Sequence, residues 1–176
     1  STAQIYTEQI RGKVDKINSG SLELVSLAAS SQNYYTSSPL GRYLTQQDIL
    51  TRLQDRIRYV ESSDLYFFYR TDSDELLTAL SNRPSTGSSY FWNQYLMLPP
   101  TQPANTWFSV TCNGETWLMC YYNVSQVRVG AAVRAKTLLQ SLYADTGLVQ
   151  DSGFALAGLD GTIVYSSQPD LMACGT

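Results

Sequence analysis

An Asn-Gly pair lies between two apolar segments near the middle of the chain and constrains the fold more than any other feature. Asn113-Gly114 is typical of a two-residue type I′ turn, so segments 106–112 and 115–124 are predicted to pair as an antiparallel hairpin. A hairpin that is apolar on both faces needs a covering layer on each side, which predicts a layered domain. One face would carry Phe108, Val110, Trp117, Met119 and Tyr121, and the other Trp107, Leu118, Cys120 and Tyr122.

Two helical patterns in the first 62 residues predict one of these layers. A seam of apolar and small side chains at helical spacing predicts a first helix of about 27 residues, about 40 Å long. A second helix is predicted to begin after Thr45, with Asp48 as its capping partner, and to end at 62–64. Segment 37–41, Ser-Ser-Pro-Leu-Gly, is predicted to be a connector. The seam consists of Ile10, Val14, Ile17, Ser21, Leu24 and Ala28.

Strand patterns dominate the remainder of the chain. Segment 65–70, LYFFYR, is predicted to be a strand followed by a turn at 71–74. Segment 126–133 would extend the central hairpin into a three-stranded meander. A final hairpin is predicted around Asp160-Gly161, because Asp-Gly between two apolar runs is a strong hairpin signal.

Two further segments complete the predicted order. Segment 134–143 has the Leu spacing of a short helix, whereas segment 81–105 lacks clear periodicity and is predicted to be a long loop with large aromatic side chains. The predicted fold class is therefore α+β, a single domain over 1–176. Its helical part at 1–62 would pack on an antiparallel sheet of five to six strands at 63–176.

Composition excludes several kinds of function. The 176 residues include no His, which removes the commonest general base and metal ligand, so we expect no catalytic residue, no metal and no cofactor. The net charge of −3 disfavours nucleic-acid binding, which needs a clustered basic excess. No stretch approaches the roughly 18 apolar residues of a membrane helix, and the chain is expected to be excised from a longer protein.

The three cysteines have no zinc-type spacing. The hairpin register places Cys112 and Cys120 on opposite faces, so they are predicted to be buried free thiols rather than a disulfide. Cys174 has no predicted partner.

The order of these segments resembles the PAS-like extracytoplasmic sensor domains called Cache domains. No one motif carries the resemblance, which depends on the order of all of them over most of the chain. The connector at 34–41 is also similar to the membrane-distal helical cap of sensor histidine kinases from Gram-positive bacteria. The segments that carry the Cache resemblance are 64–70, 89–95, 106–122, 130–133 and 154–163.

The resemblance implies a small-ligand sensing domain outside the cytoplasmic membrane. It would form part of a transmembrane receptor, with flanking membrane helices outside this fragment and a homodimer in the full-length protein. A sensor histidine kinase is the leading output, and a chemoreceptor or cyclase is the alternative. Many family members place an Asp before the helix to hold a ligand's amino group, whereas this chain has Val133, Arg134 and Ala135, which argues against an amino acid held in the usual way.

Aromatic and arginine side chains are the candidate ligand contacts. Trp92, with Tyr90 and Tyr95, is the first choice, although Trp92 would equally serve as an anchor of the loop onto the core. On the first strand, alternate residues share a face, and parity leaves open which face meets the ligand. Arg70 and Arg134 are candidates for an anionic group. The candidate set is Tyr66, Phe68, Arg70, Tyr90, Trp92, Tyr95, Trp107 and Tyr121.

Two other function classes compete with ligand sensing. The first is an interaction or dimerisation module of a surface protein, in which the seam on the long helix pairs with a second copy. The second, an enzyme, is weakly supported because only scattered carboxylates are available as catalytic groups.

Overall fold

The computed structural model describes residues 2–30, 38–60, 63–81, 88–146, 155–157, 163–166 and 175. Two N-terminal helices followed by a five-stranded antiparallel sheet give an α+β fold, which confirms the predicted fold class. None of the described helices is long and apolar enough to cross a membrane. The helices are α1 (Thr2–Ser30), α2 (Pro39–Tyr59), α3 (Ser88–Met97) and α4 (Ala135–Thr146), and the strands are β1 (Leu65–Arg70), β2 (Glu75–Leu80), β3 (Phe108–Cys112), β4 (Glu115–Val124), β5 (Val127–Arg134), β6 (Ala155–Ala157) and β7 (Ile163–Ser166).

The main sheet has the strand order β2-β1-β5-β4-β3 with every neighbour antiparallel. Asn113 and Gly114 both have positive φ, 51° and 79°, as a type I′ turn requires. The predicted hairpin and its register are confirmed, with Cys112 opposite Glu115. The meander is confirmed as well, because β5 pairs with β4 along its whole length.

The second helix begins earlier than predicted. The side chain of Ser38 accepts a hydrogen bond from the backbone N–H of Gly41 at 3.1 Å, and Pro39 occupies the first turn. Ser as N-cap followed by Pro is a favourable helix start, because Pro has no N–H to satisfy there. The predicted start after Thr45 was therefore wrong, and the Thr45 hydroxyl instead donates to the carbonyl of Gly41.

Two elements, β2 and α3, lie in segments for which the sequence predicted no strand or helix. β2 pairs with β1 across the turn at 71–74. The sequence predicted this turn without delimiting the strand that follows it. α3 occupies ten residues of the segment predicted to be a long loop, so that prediction was wrong for 88–97. Its fully buried side chains are Trp92 and Leu96, with Phe91 and Tyr95 half-buried beside them, and such a short stretch shows no extended helical periodicity.

The final hairpin forms outside the main sheet. β6 and β7 pair antiparallel as a separate two-stranded sheet, so the main sheet has five strands. The predicted turn at Asp160-Gly161 lies outside the described residues, as does Cys174. Cys112 and Cys120 are buried free thiols on opposite faces of β3 and β4, and burial raises the pKa of each thiol.

The first face of the main sheet, called the helix face below, is covered by α1 and α2. α1 packs on β4 and β5, and α2 packs on β1 and β2. Ile17 and Leu24 of the predicted seam are buried in this core, and Ile10 and Val14 pack against it. The seam is therefore used within the domain, which removes the observation that favoured a helix pair with a second copy. The helix-face core also contains Ile49, Leu53, Tyr66, Phe68, Val129, Ala131 and Val133.

Asp64, just before β1, links the end of β5 to the end of β2. Its carboxylate accepts the backbone N–H of Arg134 at 2.9 Å and the hydroxyl of Ser81 at 2.9 Å. Its own backbone bonds Ala132 and Ser81. Because the side chain is fully buried, these bonds satisfy a charge that would otherwise be costly to remove from water.

Candidate ligand-binding site

The second face of the main sheet, called the α3 face below, is covered by aromatic rings. Trp92 of α3 is fully buried and packs on Trp117 of β4, with ring centroids 5.1 Å apart and an interplanar angle of 69°. Phe91 and Tyr95 extend this cluster, with their rings stacked at 5.5 Å. A layer of aromatic side chains from α3 and the strands thus covers this face, whereas α1 and α2 cover the opposite face.

Gly130 explains how large rings fit against β5. A Cβ atom at this position would lie 2.4 Å from the carbonyl oxygen of Cys120 and 2.8 Å from the ring of Phe67. The missing side chain therefore lets Phe67 lie directly across the neighbouring strand.

A small cavity opens beside the C-terminal end of α3. Its volume is about 110 Å³, and most of its wall is apolar. Tyr95 lies in the wall, and burial raises the pKa of its hydroxyl. The lining residues are Tyr95, Leu96, Leu98, Pro99, Pro100, Thr101, Phe108, Met119 and Arg128.

Arg128 is the charged residue of this cavity. It lies on β5 directly opposite Tyr69 of β1, and its guanidinium lies 5.5 Å from the Tyr69 ring centroid and 5.7 Å from that of Tyr121. Its Nη1 donates to the carbonyls of Leu96 and Leu98, at 3.3 and 3.2 Å. Burial lowers the pKa of Arg128, and none of the described acidic side chains forms an ion pair with it.

Hydrogen-bond donors are left over on this face. Within the described part of the chain, the buried Nε of Arg128 and the indole N–H groups of Trp92 and Trp117 have no hydrogen-bond partner. Buried polar groups in native proteins are nearly always bonded. Arg128 is the one of these three residues that lines the cavity, so its guanidinium is the donor complementary to a ligand that carries hydrogen-bond acceptors.

The segment after α3 is fastened over the cavity by Tyr121. The Tyr121 hydroxyl donates to the carbonyl of Gln102, and its backbone carbonyl accepts from the N–H of Asn105 at 2.9 Å. Asn105 has a positive φ of 61°, a conformation that Asn tolerates better than most residues. Tyr121 therefore contacts both Arg128 and the segment that forms one wall.

The predicted candidate residues are divided between the two faces. Trp92, Tyr95 and Tyr121 lie on the α3 face, and Tyr95 lines the cavity whereas Trp92 packs beneath α3. Tyr90 is 75% exposed on the outer side of α3. The remaining aromatic candidates, Tyr66, Phe68 and Trp107, belong to the helix-face core.

The two arginines proposed as anion contacts lie away from the cavity. Arg70 is buried at the end of β1 and forms an ion pair with Asp72 at 3.7 Å. Arg134 lies 3.6 Å from the carboxylate of Glu115, and its guanidinium lies 5.1 Å from the Trp117 ring centroid. Arg128 was missed, although a lone Arg between Val127 and Val129 in an otherwise apolar strand is an unusual sequence signal.

Other depressions on the surface have a different character. A groove of about 280 Å³ between α1 and α2 is lined mainly by charged side chains that already pair, such as Arg56 with Glu23 at 2.6 Å and Arg52 with Asp48 at 3.4 Å. Among the described residues no cluster of three His, Cys, Asp or Glu side chains could hold a metal. A further depression of about 200 Å³ contains Arg70 and Asp72, which also pair. The cavity at Arg128 is the candidate site because none of the described acidic side chains pairs with its arginine.

The structural likenesses found among known proteins include a weak one to a ligand-binding domain. No family model and no curated protein matches the chain. The ligand-binding domain of the Campylobacter jejuni chemoreceptor Tlp3, solved with 4-methylisoleucine, aligns at 10% identity and a TM-score of 0.35 over 95% of this chain and 73% of that one. Because a TM-score of this size carries no argument about fold or ligand, the architecture rests on the sheet's own order and register.

Proposed function

We propose that this chain is a small-ligand sensing domain that binds its ligand on the α3 face of the sheet. The observation that carries the proposal is the cavity at Arg128, where an apolar wall surrounds one cation without an acidic partner among the described residues. Ligand pockets commonly combine apolar walls with a few oriented polar groups. On the helix face the core is closed by α1 and α2, and the described depressions beside it contain arginines that already pair with carboxylates, Arg56 with Glu23 and Arg70 with Asp72.

The wider setting is also proposed. The domain would lie outside the cytoplasmic membrane, between flanking membrane helices, in a receptor that acts as a homodimer. Its output would be a histidine kinase, with a chemoreceptor as the alternative. The chain itself would not be an enzyme, which the absence of His from the whole sequence supports.

Hydrogen bonds between the sheet and α1 provide a route by which ligand binding would affect the rest of the receptor. The Tyr66 hydroxyl donates to the carbonyl of Ile17 at 2.9 Å, and the Tyr122 hydroxyl donates to the side chain of Asn18. These two bonds join β1 and β4 to consecutive residues of α1. A change in the sheet would therefore reach the N-terminal helix directly.

A thermal-shift screen tests the sensing function. The chain would be heated with organic acids, sugars, amino acids, peptides and purines, because a ligand that binds the folded state raises the melting temperature Tm. We expect at least one chemical class to stabilise the chain, confirmed by calorimetric titration. If no compound in the screen binds, the sensing proposal is contradicted.

A further inference from the structure

We propose that the cavity beside α3 binds a small monocarboxylate, and that Arg128 recognises it by exchanging its bonds to the carbonyls of Leu96 and Leu98 for bonds to the ligand. This inference rests on the proposed sensing function and specifies its ligand class. It also specifies how the ligand would change the backbone around the site.

The charge of the cavity calls for an anion. Among the described lining residues Arg128 alone carries a formal charge. Asp74 is linked to the guanidinium of Arg128 through Tyr69. The Tyr69 hydroxyl donates to Asp74 at 2.6 Å, and the Tyr69 ring lies against the guanidinium. Asp74 is therefore engaged by Tyr69 and forms no ion pair with Arg128. A bound anion would neutralise a cation that is partly removed from water.

The geometry of the guanidinium favours a carboxylate. An arginine has five N–H donors in a planar fork that matches a carboxylate with two parallel bonds. Here one nitrogen serves two carbonyls at distances of 3.2 and 3.3 Å, and the buried Nε serves none. Charge-assisted bonds are shorter and about twice as strong as neutral ones, so a carboxylate competes well against these carbonyls. The rings of Tyr69 and Tyr121 would stay in contact with the guanidinium while its N–H groups change partners.

The size and wall of the cavity limit the rest of the ligand. A cavity of about 150 Å³ holds benzene, so about 110 Å³ accommodates roughly four or five non-hydrogen atoms. Phe108, Met119 and Pro99 provide an apolar wall suited to a short alkyl group. No described lining residue is acidic, so an ammonium group on the ligand would form no ion pair in the cavity. Acetate and propionate fit these limits, whereas an α-amino acid does not.

The exchange has a structural consequence at the end of α3. The carbonyls of Leu96 and Leu98 belong to the last turn and the residue after it, where helices lack internal partners and a cation stabilises them. When Arg128 turns to the ligand, these carbonyls lose that cation. The amide of Leu98, which bonds the carbonyl of Tyr95 at 3.2 Å, would then open more often.

Propionate and its neutral analogue propionamide are the test pair. Both would be titrated against the 176-residue chain at constant ionic strength, by thermal shift and calorimetry. We expect propionate to raise Tm by about 5–10 °C at roughly a hundredfold excess over Kd, and propionamide to have little effect. Arg128→Gln should weaken propionate binding at least about tenfold, and Arg128→Lys should give an intermediate loss because it keeps the charge without the fork.

Arg52→Gln is the matched control. Arg52 is an exposed arginine of α2 paired with Asp48, so its loss removes the same charge far from the cavity. Circular dichroism would establish that each variant is folded, and Arg128→Lys remains informative if Arg128→Gln does not fold. We expect Arg52→Gln to bind propionate as the unchanged chain does.

Specific results would overturn the inference while leaving the sensing function intact. Failure of acetate and propionate to bind, equal binding of propionamide, or unchanged binding by Arg128→Gln would contradict the ligand class, even where another compound of the screen binds. The partner exchange is tested by hydrogen exchange with saturating propionate. Faster exchange at Leu98 supports it, and unchanged or slower exchange at Leu98 contradicts it.

Discussion

The two faces of one sheet are closed in different ways. The helix face is covered by α1 and α2, and its two tyrosine hydroxyls, of Tyr66 and Tyr122, both donate to residues of α1. The α3 face is covered by a ten-residue helix and a layer of rings, with donors of Trp92, Trp117 and Arg128 that find no partner in the described residues. The same strands thus support one face whose two tyrosine hydroxyls are bonded to α1 and one face with spare donors.

This difference separates stability from binding. A closed aliphatic layer stabilises the folded state through burial alone. A face with a cavity and spare donors gives up part of that stability to keep groups available, as is common at binding sites. Changes on the two faces should therefore have separable effects on unfolding and on ligand binding.

Trp92→Ala is expected to have the largest effect. Removing a fully buried Trp at the centre of the α3 face should lower the free energy of unfolding by about 3–5 kcal/mol, measured by urea denaturation. Binding of propionate should be lost as well, because α3 would no longer be held against Trp117. Tyr90→Ala on the exposed side of the same helix is the control, with an expected change within about 0.5 kcal/mol. Comparable losses for both variants would contradict the anchoring role of Trp92.

Leu53→Ala tests the opposite face. Leu53 is fully buried on the inner side of α2, so its truncation should lower the free energy of unfolding by about 2–5 kcal/mol. Below the lowered Tm, the Kd of propionate should stay the same, because the cavity lies on the other side of the sheet. Leu44→Ala, at an exposed position of α2, is the control. A weaker Kd in Leu53→Ala would break the separation between the two faces.

Tyr66→Phe is expected to have the smallest effect at neutral pH. It removes one hydrogen bond to α1, for a loss of about 0.5–1.5 kcal/mol. Burial raises the pKa of Tyr66 above its ordinary value, so its contribution is complete below about pH 10 and is lost as pH rises towards the folded-state pKa. The alkaline decline in stability should be shallower in Tyr66→Phe, by up to about 1.4 kcal/mol per pH unit.

Tyr59→Phe provides the comparison for that pH series. Tyr59 is 70% exposed on α2, so the same chemical change there should leave the alkaline slope as it is. Chemical denaturation at several pH values between neutrality and strong alkali measures both slopes. Equal slopes for the two variants would show that burial of the Tyr66 hydroxyl has no effect on the pH dependence.

The sequence predicted those parts of the fold whose signals are local. Asn113-Gly114 fixed the central hairpin, and the seam from Ile10 to Ala28 predicted α1, because turn type and helical spacing are properties of short segments. The start of α2 was also local, at Ser38-Pro39, but the Ser-rich surroundings suggested a connector. α3 was not predicted because its aromatic side chains favour strands and its ten residues are too few for a clear helical period.

The candidate site could not be predicted because it depends on strand pairing. Arg128 meets Tyr69 only through the β1–β5 register, and it meets Leu96 only through the position of α3. Parity left open which face of β1 was available, and the structure places Tyr66 beneath α1 and Tyr69 beside the cavity. Residues that are distant in sequence thus acquire a shared role that no single segment encodes.

The two short turns that flank β4 determine how the chain tolerates changes in length. β4 is joined to β3 by Asn113-Gly114 and to β5 by Ser125-Gln126, and successive residues of a strand point to opposite faces. One residue inserted at Ser125-Gln126 would turn Arg128 towards α1 and an aliphatic residue towards the cavity. The longer segment at 98–107 imposes no such parity. Natural length variation should therefore be excluded from the two turns, whereas in segment 98–107 it would reshape the cavity wall without reversing the faces of a strand.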